Sequence, residues 1–122
     1  MKKSIDFKIK ENSYKIEFPN NGQLLDIEML KSSLSSGRYG SLLFQGTYNS
    51  KYALDMIDVE AHIEVLCPSI KKDYNIQSLG DLSLEDAIEL RKAYKEQMEP
   101  FIQEWQKIIN DIYKGQDEDD KK

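Results

Sequence analysis

The chain is poor in the residues that most often do chemistry: its 122 residues include one cysteine, one histidine and one tryptophan. The lone thiol, Cys67, can form no intrachain disulfide and no cysteine zinc cage, which suits a reducing compartment. The lone histidine, His62, leaves no second imidazole for a catalytic zinc triad, and no serine stands in a G-x-S-x-G context. Nowhere do about 18 uncharged apolar residues run together, so no bilayer-spanning helix is expected. The opening MKKSIDFKIK lacks the apolar stretch and small-residue cleavage site of a signal peptide. These absences predict a protein that stays in the cytoplasm where it is made. They also leave little with which to build an enzyme or hold a cofactor, so neither is expected.

Charge is unbalanced: 22 Asp and Glu face 17 Lys and Arg, a net charge of -5, which disfavours a general phosphate-binding surface. Part of that acidity is local. Four acids at Asp117 to Asp120 with Lys121 and Lys122 contribute -2, leaving -3 for the rest, and Met1 to Phe18 carries five Lys against three acids.

What the chain does have is clear periodicity. Ile5, Phe7 and Ile9, then Tyr14, Ile16 and Phe18, alternate with polar residues around Glu11-Asn12-Ser13, which predicts a β-hairpin with one apolar face. A lone hairpin is marginal in water, so that face needs helices or a partner strand. Either Asn20 or Asn21 can cap a short helix carrying Leu24, Ile27, Leu30 and Leu34, stopped at Gly37. Residues 41–44 allow a helical turn or two before Gly46. From a cap at Asn49-Ser50 to Leu66 apolar residues lie nearly all round, as in a buried central helix, and Pro68 ends it. Ser83 caps a last helical region whose stripe, Leu84 to Ile112, continues across Pro100 as two helices in line or one bent helix. The expected fold is α+β and mostly α. Its single domain spans 1–114, with an N-terminal hairpin packed on a central buried helix and a long kinked C-terminal helix. Residues 115–122 are expected to form a disordered acidic tail.

Three groupings invite a chemical reading. Asp55, Asp58 and His62 share a helix at spacings that place them side by side, as a metal site or a small metal-dependent enzyme would require. Dipole placement of the Asp pair and a local His62–Asp58 contact explain the spacing without a metal. Cys67, between Leu66 and Pro68 at a helix end, reads as a small hydrophobe, because a helix carboxyl end disfavours a thiolate. Gly37-Arg38-Tyr39-Gly40 has the G-x-x-G form of a nucleic-acid clamp, but a plain turn between helices accounts for it, and no nucleic-acid or membrane partner is expected.

Three stretches taken together suggest a family: FKIKENSYKIEFPNNGQLLDIEML, the GRYG turn, and YALDMIDVEAHIEVLCPSI followed by a long helical C-terminus. In layout, residues 5–113 resemble the small phage tail assembly chaperones. The resemblance implies a non-enzymatic protein, often oligomeric, that binds apolar helical segments of a tape-measure-type protein in the host cytoplasm. A structural virion component at the head-tail junction or tail is the alternative it leaves open. The residues expected to bind the partner are Leu24, Ile27, Leu30, Phe101, Trp105, Ile108 and Ile112, a set of aromatic and long aliphatic anchors.

Overall fold

The computed structural model describes residues 3–120, with side chains as far as Gly115. Two strands, β1 (Ser4–Ile9) and β2 (Asn12–Glu17), precede six α-helices: α1 (Asn21–Leu34), α2 (Tyr39–Gln45), α3 (Tyr48–Leu66), α4 (Ser69–Tyr74), α5 (Leu84–Ala93) and α6 (Glu99–Asp120). A 3-10 turn covers Leu79–Asp81, and a π-helical turn, Tyr94–Met98, joins α5 to α6. The fold is therefore mostly helical with an N-terminal hairpin. The tail expected at 115–122 falls largely outside the described side chains; the backbone of α6 is helical as far as Asp120.

Antiparallel pairing sets Ile5 opposite Ile16, Phe7 opposite Tyr14 and Ile9 opposite Asn12. The turn is Lys10-Glu11, with Lys10 left-handed at φ 53, instead of the expected Glu11-Asn12-Ser13. Register explains the shift. A loop over Glu11 to Ser13 would put Lys10 opposite Tyr14 and Lys8 opposite Ile16, mixing charge into the core face. With the observed register Phe7 and Ile16 are fully buried.

α1 begins at a capping box. The Gln23 N–H donates to Asn20 Oδ1 at 2.8 Å, and the Asn20 N–H donates to Gln23 Oε1 at 3.0 Å. Its other end turns back through two left-handed residues, Ser36 at φ 53 and Gly37 at φ 73. The Gly37 N–H reaches the Ser32 carbonyl at 2.8 Å and the Ser36 N–H that of Ser33 at 3.1 Å, which satisfies two orphan carbonyls. α3 is capped by Thr47, whose hydroxyl accepts from the Ser50 N–H, so the cap lies two residues before the expected Asn49-Ser50.

α3 touches α1, α2, α4 and α5, and its residues Val59, Glu60, Ala61, His62 and Ile63 are all buried. Five consecutive buried positions span every face of a helix, so α3 is the enclosed centre of the domain. Around it close the hairpin, α4 and the α5–α6 rod, with Val59, Ile63, Ile70, Leu90 and Met98 fully buried.

Pro100 shapes that rod. It has no N–H to give, and in a regular α-helix its ring would strike the carbonyl four residues back, at Glu96. The backbone widens just before it: the Glu99 N–H bonds to the Tyr94 carbonyl, five residues back. The expected kink is thus a π turn that keeps the rod unbroken. Tyr94 and Met98 point into the core from this turn, while Gln97 faces the hairpin. The Lys8 N–H donates to Gln97 Oε1 at 2.7 Å, and Gln97 Nε2 donates to the Lys8 carbonyl at 2.7 Å.

Met98→Ala should cost about 2–5 kcal/mol as a core cavity. Gly37→Ala should cost about 1 kcal/mol, a backbone effect, since nothing lies within 4 Å of an added Cβ. Urea denaturation measures both, and an unchanged midpoint for Gly37→Ala would show that its left-handed geometry carries no cost.

Candidate functional site

The three polar residues of α3 that share one side in sequence serve different neighbours in space. Asp55 faces the α5–α6 rod, 2.7 Å from an Arg91 guanidinium nitrogen and 3.0 Å from Lys95 Nζ. Asp58 faces α1 and α2: the Tyr39 hydroxyl donates to its carboxylate at 2.9 Å, and Lys31 Nζ lies 3.7 Å away. His62 sits deeper, its Nδ1 2.7 Å from the Asp58 carbonyl and 3.2 Å from the Tyr94 hydroxyl. Asp55 and Asp58 are thus each committed to cations or a hydroxyl. Among the described residues no group of three or more His, Cys, Asp and Glu is arranged to hold a metal ion.

Tyr39, the central aromatic of the G-x-x-G stretch, is occupied locally: it bonds Asp58 and carries Lys31 Nζ over its ring at 5.2 Å. Burial, and then the bond to Asp58, push its hydroxyl well above the usual tyrosine range. Gly40 lies within the first turn of α2 and Gly37 in the turn before it. Cys67 is buried, and burial raises its thiol above the ordinary value, which keeps it in the unreactive thiol form.

His62 lines a cleft of about 290 Å³ between α1, α3 and α6. Ile27, Ile102, Trp105 and Ile109 make its apolar walls, and Glu28, Lys31, Asp58, Glu99, Gln103 and Gln106 bring polar groups to it. Trp105 is fixed by edge-on packing with Phe18 and Phe101, ring centroids 5.7 and 5.3 Å away. Burial lowers the His62 pKa, against the opposing bond to the Asp58 backbone, so the ring is neutral near pH 7.

A second recess, about 440 Å³, runs between α3 and the start of α5. Leu34, Tyr52, Met56, Ile57, Leu82 and Leu84 line it, and Leu84 stays 66 % exposed. Its floor is braced by a buried ion pair. Lys71 Nζ lies 3.0 Å from Glu60 and 2.6 Å from Glu64, and donates to the Gln77 carbonyl, while the Leu79 N–H donates to Glu60. Burial works against the Lys71 charge, but the hydrogen bonds to Glu64 and Glu60 outweigh it and raise its pKa.

Matched against protein-family models, curated proteins and solved structures, the chain finds no counterpart. Its site is therefore argued from its own geometry.

Of the seven expected partner-binding residues, Ile27, Phe101 and Trp105 are buried, and Ile27 and Trp105 line the cleft between α1, α3 and α6. Leu24 and Leu30 are half-buried, and Ile108 and Ile112 are exposed on the far half of α6. The burial of the two aromatics has a simple cause: Phe18 at the end of the hairpin packs on Phe101 and Trp105. Further apolar side chains stay open at Leu25 and Met29 on α1, at Leu84 and Ile88 on α5, and at Leu43, Phe44 and Tyr48 around the α2–α3 turn. Their spacing of four on α5 is legible in sequence, but which helical face meets water is decided by the hairpin. No helix among the described residues is long and apolar enough to cross a membrane.

His62 binds a proton more readily in the unfolded chain than in the fold. Its contribution to stability is complete above about pH 6.5 and is lost as pH falls toward its lower folded pKa. His62→Gln should therefore flatten the stability profile between about pH 6.5 and 5, read by urea midpoints across that range. Lys71→Ala should cost about 3 kcal/mol by stranding Glu60, and Glu60→Gln with Lys71→Met should recover much of that loss.

Proposed function

We propose that this chain is a non-enzymatic assembly protein, of the phage tail assembly chaperone kind, that holds an apolar helical segment of a larger protein. The observation that supports it is the open apolar recess between α3 and α5, lined by Leu84, which is 66 % exposed, with Ile88, four residues on along α5 and outside the recess lining, 51 % exposed. Water gains nothing from such a surface. A helix presenting large apolar side chains three and four residues apart removes it from water, each fully buried Leu or Ile contributing about 1.5–3 kcal/mol. The recess is braced from beneath by the Lys71–Glu60–Glu64 cluster, so it keeps its shape without an occupant.

The expected occupant is a helical, tape-measure-type partner met in the host cytoplasm. Self-association belongs to the same reading. Ile108, Ile112 and Tyr113 lie exposed on the distal part of α6, beyond Trp105, the last buried residue of the rod among those whose side chains are described. A second copy is the natural cover for so narrow an apolar stripe.

The test uses full-length protein and an amphipathic helical peptide carrying leucines at helical spacing. Leu84→Asp with Ile88→Asp should weaken peptide binding by about tenfold or more in fluorescence anisotropy. Both positions are exposed, so the thermal midpoint should hold. Equal affinity for parent and variant would defeat the assignment of this face. Ile108→Asp with Ile112→Asp should lower the mass measured by light scattering.

A further inference from the structure

We propose that the cleft between α1, α3 and α6 binds a ligand bearing a primary ammonium or guanidinium group on an aliphatic stem. The decisive group is His62, only 6 % exposed. Its Nδ1 lies 2.7 Å from a backbone carbonyl oxygen, which can only accept, so the ring hydrogen sits on Nδ1 and Nε2 keeps a lone pair. Nε2 makes no hydrogen bond among the described residues. Nor is it sealed in: among the described residues the one fully enclosed side-chain nitrogen or oxygen without a partner is the Tyr74 hydroxyl. His62 therefore offers an acceptor to whatever enters the cleft it lines.

The surrounding charge selects the donor. Three carboxylates, Glu28, Asp58 and Glu99, face one ammonium, Lys31. Lys31 is already held, 3.3 Å from Glu28 and 3.7 Å from Asp58, with its charge over the Tyr39 ring. An anion meets this excess of carboxylate. A purely apolar ligand leaves the Nε2 acceptor buried and unpaired, a cost of about 1–3 kcal/mol. For a metal ion the donor set is wanting: among the described residues no group of three or more His, Cys, Asp and Glu is arranged to hold one. A cationic head on an aliphatic stem satisfies every wall at once. Its N–H groups reach Nε2 and the carboxylates, its methylenes lie along Ile27, Ile102 and Ile109, and the Trp105 ring favours the nearby positive charge. The volume, about 290 Å³, stands at the lower edge of small-ligand pockets, which run from about 300 to 1,000 Å³. This site lies apart from the apolar recess and does not depend on it.

Trp105 is the only tryptophan and forms one wall, so its emission reports the cleft directly. Full-length protein at pH 7.5 and fixed ionic strength is titrated with n-butylammonium, n-butylguanidinium, n-butanol and butyrate. The cations should give a saturable change with Kd of about 1–10 mM, and the alcohol and acid none. Glu28→Gln and Glu99→Gln, at groups near the surface, should each weaken cation binding about threefold to tenfold. His62→Gln should weaken it further. Binding should hold down to about pH 6.5 and fade only as pH falls further, through the lowered His62 pKa, because protonation turns the Nε2 acceptor into a donor. The other titratable groups facing His62 are Glu28 and Lys31 on α1, Asp58 on α3, Tyr94 on the π turn and Glu99 on α6. Acetyl-lysine amide binding better than n-butylammonium assigns a protein side chain as the natural occupant, and the reverse order assigns a free amine. Butanol matching butylammonium, or no saturable response to either cation, overturns the site whatever the state of the variants.

Discussion

Pro100 imposes the constraint on which the rest of the packing depends. A residue without an N–H, placed in a rod that must stay continuous, forces the turn before it to open, and the π turn at Tyr94–Met98 is the result. That single widening sets which way five side chains point. Tyr94 and Met98 enter the core, Gln97 meets β1, and Phe101 and Trp105 arrive where Phe18 can close over them. The hairpin, marginal alone, is held by both polar and aromatic contacts from this one region.

The interior also holds Glu60, Lys71 and His62, and these polar groups are of two kinds. Glu60 and Lys71 satisfy each other and the backbone of the connection after α4, so they fix a shape. His62 is different. Its one committed nitrogen orients the ring, and the other is left to the cleft. A buried group with a spare acceptor is costly to keep unless something uses it, and this separates the His62 cleft from the purely structural ion pairs.

Sequence periodicity made the main elements legible. The alternation of Ile5, Phe7 and Ile9 marked the hairpin, the all-round apolar pattern marked α3, and Asn20, Ser83 and Gly46 marked helix boundaries that the structure uses. Boundaries decided by competition were less legible. Thr47 takes the cap of α3 ahead of Asn49 and Ser50, and hairpin register moves the turn to Lys10-Glu11. Burial within the expected partner-binding stripe has a tertiary cause: a helical period shows that Phe101 and Trp105 share a face, but not that Phe18, more than eighty residues earlier, lies on it. The cleft joins α1, α3 and α6 and has no local signature. Asp55, Asp58 and His62 drew attention by spacing, yet only His62 and Asp58 reach it, while Asp55 turns to Arg91 and Lys95.

The Gln97 amide bonded to Lys8 gives the two-stranded sheet unequal edges. Both outward backbone groups of Lys8, near the middle of β1, are already taken by a side chain that imitates a neighbouring strand. A peptide adding itself to this sheet would have to displace Gln97 to run along β1, whereas along Asn12–Glu17 it meets no such side-chain bond among the described residues. The helix thus acts as a stopper for one side of the sheet, and growth by strand addition has a built-in direction.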